Sequence, residues 1–250
     1  MTFRLPGIPS GLTSTTPRAL SVRRAGQINT INMPTRLGYW KIRGLAQPVR
    51  LLLRHAGEDY EDILYEQGDA PGFDRNAWMS VKESIGLDFP NLPYYMDDDV
   101  KITQSNTIIR YIAGKYDLLG KTKEEKVLCD MMLENAMDFR NGTVRLCYNP
   151  DYDSIKDAYF DRLFKVILPT FEKFLGKNSW FARGESVTAC DFPMYELLDQ
   201  HTLMKPGCLD DFPNLTAFQK RFEDLPKIKE YLKDPSYIAF PVNNKVAKFR

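Results

Sequence analysis

RLGYWKIRGLAQPVRLLLRHA, residues 36–56, is the stretch that decides the fold. Its first part, Arg36 to Lys41, is short, apolar and aromatic, and reads as a strand. Gly44 then turns the chain. From Pro48 to Ala56 the pattern becomes helical, with proline where its missing N–H and fixed φ cost nothing, in the first turn. Working outward, Tyr60 to Tyr65 is a second strand candidate, and GDAPGFDR, residues 68–75, is loop chemistry followed by a short helical stretch through Trp78 and Lys82. FPNLPYYM, residues 89–96, gives a strand entered through Pro93. The turn Asp97 to Asp99 makes it a hairpin, and VKIT, residues 100–103, closes that hairpin. Ser105 opens a helix that runs to about Tyr116.

The order strand, helix, strand, helix, strand, strand, helix predicts a small mixed sheet with helices on its faces, which is the order of an α/β thioredoxin-like domain. After a linker at Gly120 to Thr122 the pattern is helical throughout: Lys123 to Cys147, Ser154 to Leu175, Thr188 to Leu203, Leu215 to Glu223 and a turn near Ile228. Thr188 and Asp191, ahead of the apolar run Phe192 to Leu198, resemble a capping box with Asp in place of Glu. The expected organisation is a thioredoxin-like domain over residues 34–121, an all-α domain over 123–241 and a tail over 242–250.

Residues 1–32 stand apart, with Arg4, Arg18, Arg23 and Arg24 among Ser, Thr, Pro and Gly and no acidic residue. This segment is not expected to fold. It reads either as a mitochondrial-type targeting peptide or as an extension translated ahead of a start at Met33. The location expected for the protein is accordingly cytoplasmic, or mitochondrial if the segment is a targeting peptide.

Composition narrows the function. With 250 residues, 43% hydrophobic and 27% charged, the chain has the make-up of a globular protein. A net charge of +1 without basic runs argues against nucleic acid or an anionic membrane as partner. No apolar stretch is long enough to cross a bilayer. Cys129, Cys147, Cys190 and Cys208 show no metal or dithiol spacing and read as buried reduced thiols, so no metal is expected. His55 and His201 are too isolated for a triad.

Tyr39 and Trp40 end the first strand, where open sheets place ligands outside the carboxyl ends of their strands. Two core aromatics would be the plainer account, but other residues join them. Asn91-Leu92-Pro93 is an X-Pro bond at a strand entrance, where a cis bond exposes the backbone groups of Leu92 to a peptide ligand. Gln104 and Ser105 begin a helix, whose free N–H groups favour a carboxylate. Arg75, Trp78 and Lys82 follow the loop at near-helical spacing and suit a second carboxylate. Together they suggest a site for a short dianionic peptide.

LGYWKIRGLAQPVRLLL, GDAPGFDRNAW, LDFPNLPYYMDD, KITQSN and LCYNPDYD, in this order and spacing, resemble the mu class of cytosolic glutathione transferases, from Met33 to the C-terminus. The resemblance implies an enzyme that joins reduced glutathione, its co-substrate, to small hydrophobic electrophiles in detoxification, with no further cofactor. Tyr39 would be the catalytic hydroxyl that stabilises the thiolate. Trp40, Arg75, Trp78, Lys82, Asn91, Leu92, Gln104 and Ser105 would hold glutathione with it, and Asp138 would reach the glutathione of the neighbouring subunit. Phe89 would be the aromatic key of a homodimer, with Arg110 at its two-fold axis, although Phe89 also fits an ordinary core position.

The acceptor site is expected from Ile42 and Leu45 in the loop after the first strand, with one face of the long helix and the tail. Met137, Asn141, Val144 and Tyr148 recur at i, i+4, i+7 and i+11, which is one helical face. A plain core stripe is the competing account, made less apt by Asn141 and Tyr148. Tyr148 matches the family's second tyrosine, which can donate to a substrate. Glu83 with Ser84, where the family commonly has a more basic and aromatic pair, and Asn243 with Asn244 in a more polar tail, depart from the pattern at the acceptor side. A glutathione-dependent oxidoreductase would need a nucleophilic Cys near the first turn, and residues 38–48 contain none. A non-catalytic relative that only carries ligands is the remaining alternative.

Overall fold

The computed structural model describes residues 34–250, so the segment 1–32, with both accounts of it, lies outside the described residues. Strand β1 (Arg36–Trp40) is the hub of a four-stranded sheet of order β2-β1-β3-β4. It pairs in parallel with β2 (Glu61–Tyr65), Arg36 opposite Glu61 and Trp40 opposite Tyr65. On its other side it pairs antiparallel with β3 (Tyr94–Met96), which in turn pairs antiparallel with β4 (Lys101–Thr103). Gly38 is required here, because a Cβ on it would fall 2.1 Å from the ring of Tyr94. The expected mixed sheet is therefore present.

Helix α1 (Gln47–Ala56) begins one residue before Pro48 and ends at Gly57, whose left-handed backbone returns its N–H to the carbonyls of Leu53 and Arg54. Leu51, Leu52 and Leu53 are fully buried. The short helix α2 (Asn76–Met79) carries Trp78, and α3 (Ser105–Lys115) follows β4 directly. The long α4 (Lys123–Cys147) has the predicted bounds, with the Thr122 hydroxyl accepting the N–H of Glu125 as its cap.

The predicted helix from Ser154 to Leu175 is three pieces: α5 (Tyr152–Arg162), a π-helical turn (Leu163–Ile167) and α6 (Leu168–Leu175). Pro169 supplies the reason, since it has no N–H for the carbonyl of Lys165 and its ring crowds that carbonyl in a regular α-turn. Helix α7 (Asp191–Met204) starts later than Thr188, with Cys190 as its N-cap residue and no side-chain cap. Asp191 accepts the N–H of Phe181 (2.9 Å) and of Thr188 (2.8 Å), and also the Thr188 hydroxyl (2.9 Å). The threonine thus donates where a capping box would have it accept. Helices α8 (Pro213–Glu223) and α9 (Pro226–Tyr231) complete the fold.

Helix α1 packs on α7 and α9, and one apolar cluster runs from Leu37, Val49 and Leu52 through Leu133 and Phe139 of α4 to Phe192, Leu198 and Phe222. The sheet half and the helical half therefore share a core. All four cysteines are buried free thiols.

Candidate functional site

Tyr39 ends β1 with its ring buried, 7% exposed. Its Oη accepts the N–H of Leu45 at 3.1 Å, so the single phenolic proton is left to be donated elsewhere. Burial raises the phenol above its ordinary value of 10.0, against smaller opposing effects of the Leu45 N–H, Arg140 and Arg50, and so keeps that proton in place at neutral pH. Gly44, at φ +46, allows this arrangement, because a Cβ there would lie 2.5 Å from the Tyr39 ring.

The loop that supplies Leu45 is pinned from the helical half by a buried ion cluster that the sequence reading did not identify. Arg43 donates through Nε to Glu196 Oε1 (3.1 Å), and through Nη2 to Glu196 Oε2 (2.6 Å) and Asp199 Oδ2 (2.5 Å). The Arg43 and Glu196 side chains are 2% and 1% exposed. Burial works against the guanidinium charge, but Glu196 and then Asp199 outweigh it, so Arg43 is held more firmly protonated than usual. Seven residues on, Arg50 is buried too and binds Asp62 at 2.7 Å and the carbonyl of Ile42 at 2.8 Å. Lys41, Arg43 and Arg50 all fall in this strand-to-helix passage, and nothing in the local sequence distinguishes the two that the fold buries.

A cleft of about 320 Å³ opens beside Tyr39, lined by Tyr39, Trp40, Arg75, Trp78, Met79, Lys82, Asn91 and Leu92. The structure therefore gathers seven residues singled out from sequence around one space and adds Met79, which lies between Arg75 and Lys82 at helical spacing. Trp78 is fixed from behind: its ring meets Tyr65 edge-on at 5.3 Å and stacks on Tyr94 at 6.1 Å, while the two tyrosine hydroxyls bond each other at 3.0 Å. The Leu92–Pro93 peptide is cis. Asn91 Oδ1 accepts the Leu92 N–H at 2.9 Å, so a ligand that takes this N–H must displace the asparagine side chain. Glu83 brings its carboxylate within 3.8 Å of Lys82 Nζ, an exposed competitor for that charge.

Gln104 and Ser105 lie outside this cleft. Gln104 borders a neighbouring space of about 230 Å³ with Phe89 and Lys101, and Ser105 borders a small cavity of about 20 Å³ with Leu45, Met137 and Arg140. Gln104 holds φ +72 and ψ 111 as it turns β4 into α3, a conformation costly for a non-glycine residue and common at functional sites. No side chain caps the start of α3, which leaves its first N–H groups to a ligand. Asp138 is exposed on α4. Phe89 is 81% exposed, which removes its reading as a core residue. Arg110 pairs with Asp130 at 2.7 Å and also with Glu134, tying α3 to α4.

The helical face named for the acceptor is not plain core: Met137, Val144 and Tyr148 are half-buried and Asn141 is exposed. Leu45 and Met137 share the small cavity, whereas Ile42 lines a separate cleft of about 610 Å³ under the C-terminal tail. The tail reaches the site through Asn244, whose N–H donates to Tyr148 Oη at 2.9 Å and leaves the Tyr148 proton to be donated. Asn243 turns away, its Nδ2 bonded to the carbonyl of Phe249 at 3.1 Å. Among the described residues, no helix is long and apolar enough to cross a membrane, and no group of three or more His, Cys, Asp or Glu side chains is placed to hold a metal ion.

Two family models match the chain: the N-terminal domain of glutathione S-transferases over residues 35–114 and the C-terminal domain over residues 137–235. Glutathione S-transferase Mu 4 of Rattus norvegicus is 48% identical over 215 residues, covering 86% of this chain and 98% of its own. Glutathione S-transferase Mu 3 of Homo sapiens is 49% identical over 213 residues, covering 85% and 94%. Among solved structures, the pi-class glutathione S-transferase of Onchocerca volvulus superposes with a TM-score of 0.73 at 32% identity, over 86% of this chain and 100% of that one. The similarity spans both halves of the fold at nearly the full length of these relatives, and the chain belongs to the glutathione S-transferase family, in its mu class.

Proposed function

We propose that the 320 Å³ cleft binds reduced glutathione and that the protein joins its sulfur to small hydrophobic electrophiles, with Tyr39 as the catalytic hydroxyl. The observation that carries this reading is the buried Tyr39 phenol, protonated, oriented by Leu45 and facing a cleft with Arg75, Lys82 and the Leu92 backbone. In it, Arg75 and Lys82 take one glutathione carboxylate, the start of α3 at Gln104 and Ser105 takes the other, Leu92 pairs with the peptide backbone and Trp40, Trp78 and Asn91 complete the walls. The Tyr39 O–H donates to the sulfur and favours the thiolate, the form that attacks carbon. The thiolate adds to the electrophile, and the displaced leaving group or the added proton balances the charge. Glutathione is the co-substrate and no cofactor enters.

Ile42, Leu45, Met137, Asn141, Val144 and Tyr148 form the acceptor side. Phe89 and Arg110 serve a two-fold homodimer in which Asp138 reaches the glutathione of the other subunit; exposed Phe89 is the supporting feature. Residues 34–121, 123–241 and 242–250 act as glutathione domain, helical domain and tail, in the cytoplasm. Retention on immobilised glutathione followed by turnover of a chloronitrobenzene acceptor tests the reading. Retention without turnover would make the protein a ligand carrier, and absence of retention would remove the glutathione site.

A further inference from the structure

The helical half carries an open groove of about 560 Å³ along the π-helical turn and α6. Lys165, Pro169 and Lys173 recur at i, i+4 and i+8, Val166 and Phe174 lie beside them at the same spacing, and Arg183 reaches in from the loop after α6. At the rise of a helix, the stretch from Lys165 to Phe174 spans about 15 Å. Val166 is 52% exposed, and Lys165, Lys173 and Arg183 are exposed as well. None of these residues lines the Tyr39 cleft or the cavities near it.

The groove is basic, and no side chain that lines it is acidic. Asp161 holds Lys165 at one end, at 2.5 Å. Glu172, next to Lys173, is turned to the start of α8, where it accepts the N–H groups of Asn214 (3.0 Å) and Leu215 (2.9 Å). Among the described residues, Lys173 and Arg183 form no ion pair. Arg183 is fixed all the same: its Nη2 donates to the carbonyl of Phe174 at 3.4 Å, and its guanidinium lies 4.6 Å from the centre of the Phe174 ring. Its backbone stands at φ +62, a left-handed conformation that is costly for a side chain of this size and concentrates at functional sites. The π-helical turn is a second irregularity of that kind. A pinned arginine over an aromatic ring has little freedom left to lose on binding, and such residues anchor interfaces.

A site for a small molecule encloses most of its ligand, whereas this groove is open along its length. Its apolar floor, with unpaired cations at one end, matches a helix that lays one face into a groove. We infer that the groove is a docking surface for an acidic amphipathic helix of a partner protein. The apolar side chains of that helix lie on Val166, Pro169 and Phe174, and its carboxylates meet Lys173 and Arg183. Because no lining residue is shared with the Tyr39 cleft, docking leaves that cleft free.

The probe is a fluorescein-labelled helical peptide about three turns long, with Leu at i, i+3, i+4 and i+7 and Glu elsewhere, followed by fluorescence polarisation on the full-length protein. It should bind saturably, and the same peptide with Lys in place of every Glu should not. Lys173→Glu combined with Arg183→Glu, both at exposed positions where the fold is not at risk, should weaken the Glu peptide at least about ten-fold, the equivalent of about 1.4 kcal/mol. The same double variant should now bind the Lys peptide, and its turnover of the chloronitrobenzene acceptor should match that of the wild type. If the wild type binds neither peptide or both alike, or if the double variant keeps its affinity for the Glu peptide, the inference is wrong. If naphthalenesulfonate binds in a manner that depends on Lys173 and Arg183 while the Glu peptide does not bind, the groove is a site for small anions and partner docking is refuted.

Discussion

Replacing Tyr39 by Phe keeps the buried ring and removes the oxygen that accepts the Leu45 N–H at 3.1 Å and that, in the proposed function, donates to the glutathione sulfur. The donor role sets the catalytic magnitude. A thiol with a reference pKa of about 8.5 is only a few per cent ionised at neutral pH. A hydrogen bond to a charged acceptor is worth about 1.5 to 3 kcal/mol and one pKa unit about 1.36, so the phenol lowers the bound thiol by roughly one to two units. The share of bound glutathione present as thiolate then rises to between about a quarter and three quarters at pH 7. Loss of the hydroxyl should lower kcat at pH 7 roughly eight- to twenty-five-fold, the ratio of those thiolate shares to the few per cent of an unassisted thiol, and leave KM for glutathione nearly unchanged, because the donor acts on the thiolate and not on the peptide contacts. The assay is paired: steady-state kinetics, and titration of thiolate absorbance in the binary complex, whose midpoint should move up by about one to two units. Near-normal turnover with an unmoved midpoint would make Tyr39 a packing residue and assign sulfur activation to another donor.

Three further outcomes are expected. Arg43→Met strands the 1%-exposed Glu196 without its partner and should destabilise the fold by about 3 to 5 kcal/mol, measured by urea unfolding, while Arg43→Met combined with Glu196→Leu should recover much of that loss. Phe89→Ser should shift sedimentation velocity profiles toward monomer, since an aromatic anchor is worth over about 2 kcal/mol at an interface, and should not lower the stability of the chain because 81% of Phe89 is exposed; an unchanged dimer would refute its role. His201 lies between the Leu197 carbonyl (2.6 Å) and Tyr159 Oη (2.7 Å), and burial lowers it from 6.5 to about 4. Unfolding lets it gain a proton between those values, so stability should fall as pH drops from 6.5 to 4, by about 3 kcal/mol in total. His201→Gln should flatten that part of the stability profile, and an unchanged slope would show that other groups set it.

Much of the fold could be read from local pattern. The strand-to-helix change of period at Gly44, the hairpin at Asp97 to Asp99 and the bounds of α4 all depend on neighbours in the chain, and the structure has them where the pattern put them. The π-helical turn before Pro169 escaped because it arises from a conflict, a proline inside a helix that tertiary packing keeps continuous. The residues around Tyr39 were legible because each has a local reason to be there: a strand end, an X-Pro entrance, a helix start. Met79 was not, since nothing but its place in a one-turn helix turns it into the cleft. The Arg43–Glu196 pair was illegible for a different reason. Its members are 153 residues apart, and each alone reads as a surface charge until the fold buries both.

That buried pair bears on the chemistry. The Leu45 N–H, donated to the Tyr39 oxygen, favours a phenolic proton turned toward another partner, and Leu45 follows Arg43 and Gly44 in one tight turn. The side chain of Arg43 is held by α7, and its N–H and that of Gly44 are held by the carbonyls of Pro241 and Val242 in the tail. The same tail gives Asn244 to Tyr148. The two hydroxyls that would act on the sulfur and on the acceptor are thus oriented by contacts from the helical half and the tail, although Tyr39 belongs to the sheet. A buried charge cluster is a poor source of net stability, since apolar replacements often serve as well. Its directional bonds are what an apolar contact cannot supply. The geometry therefore favours reading Arg43, Glu196 and Asp199 as the device that fixes the angle of the loop over Tyr39, with stability as its by-product.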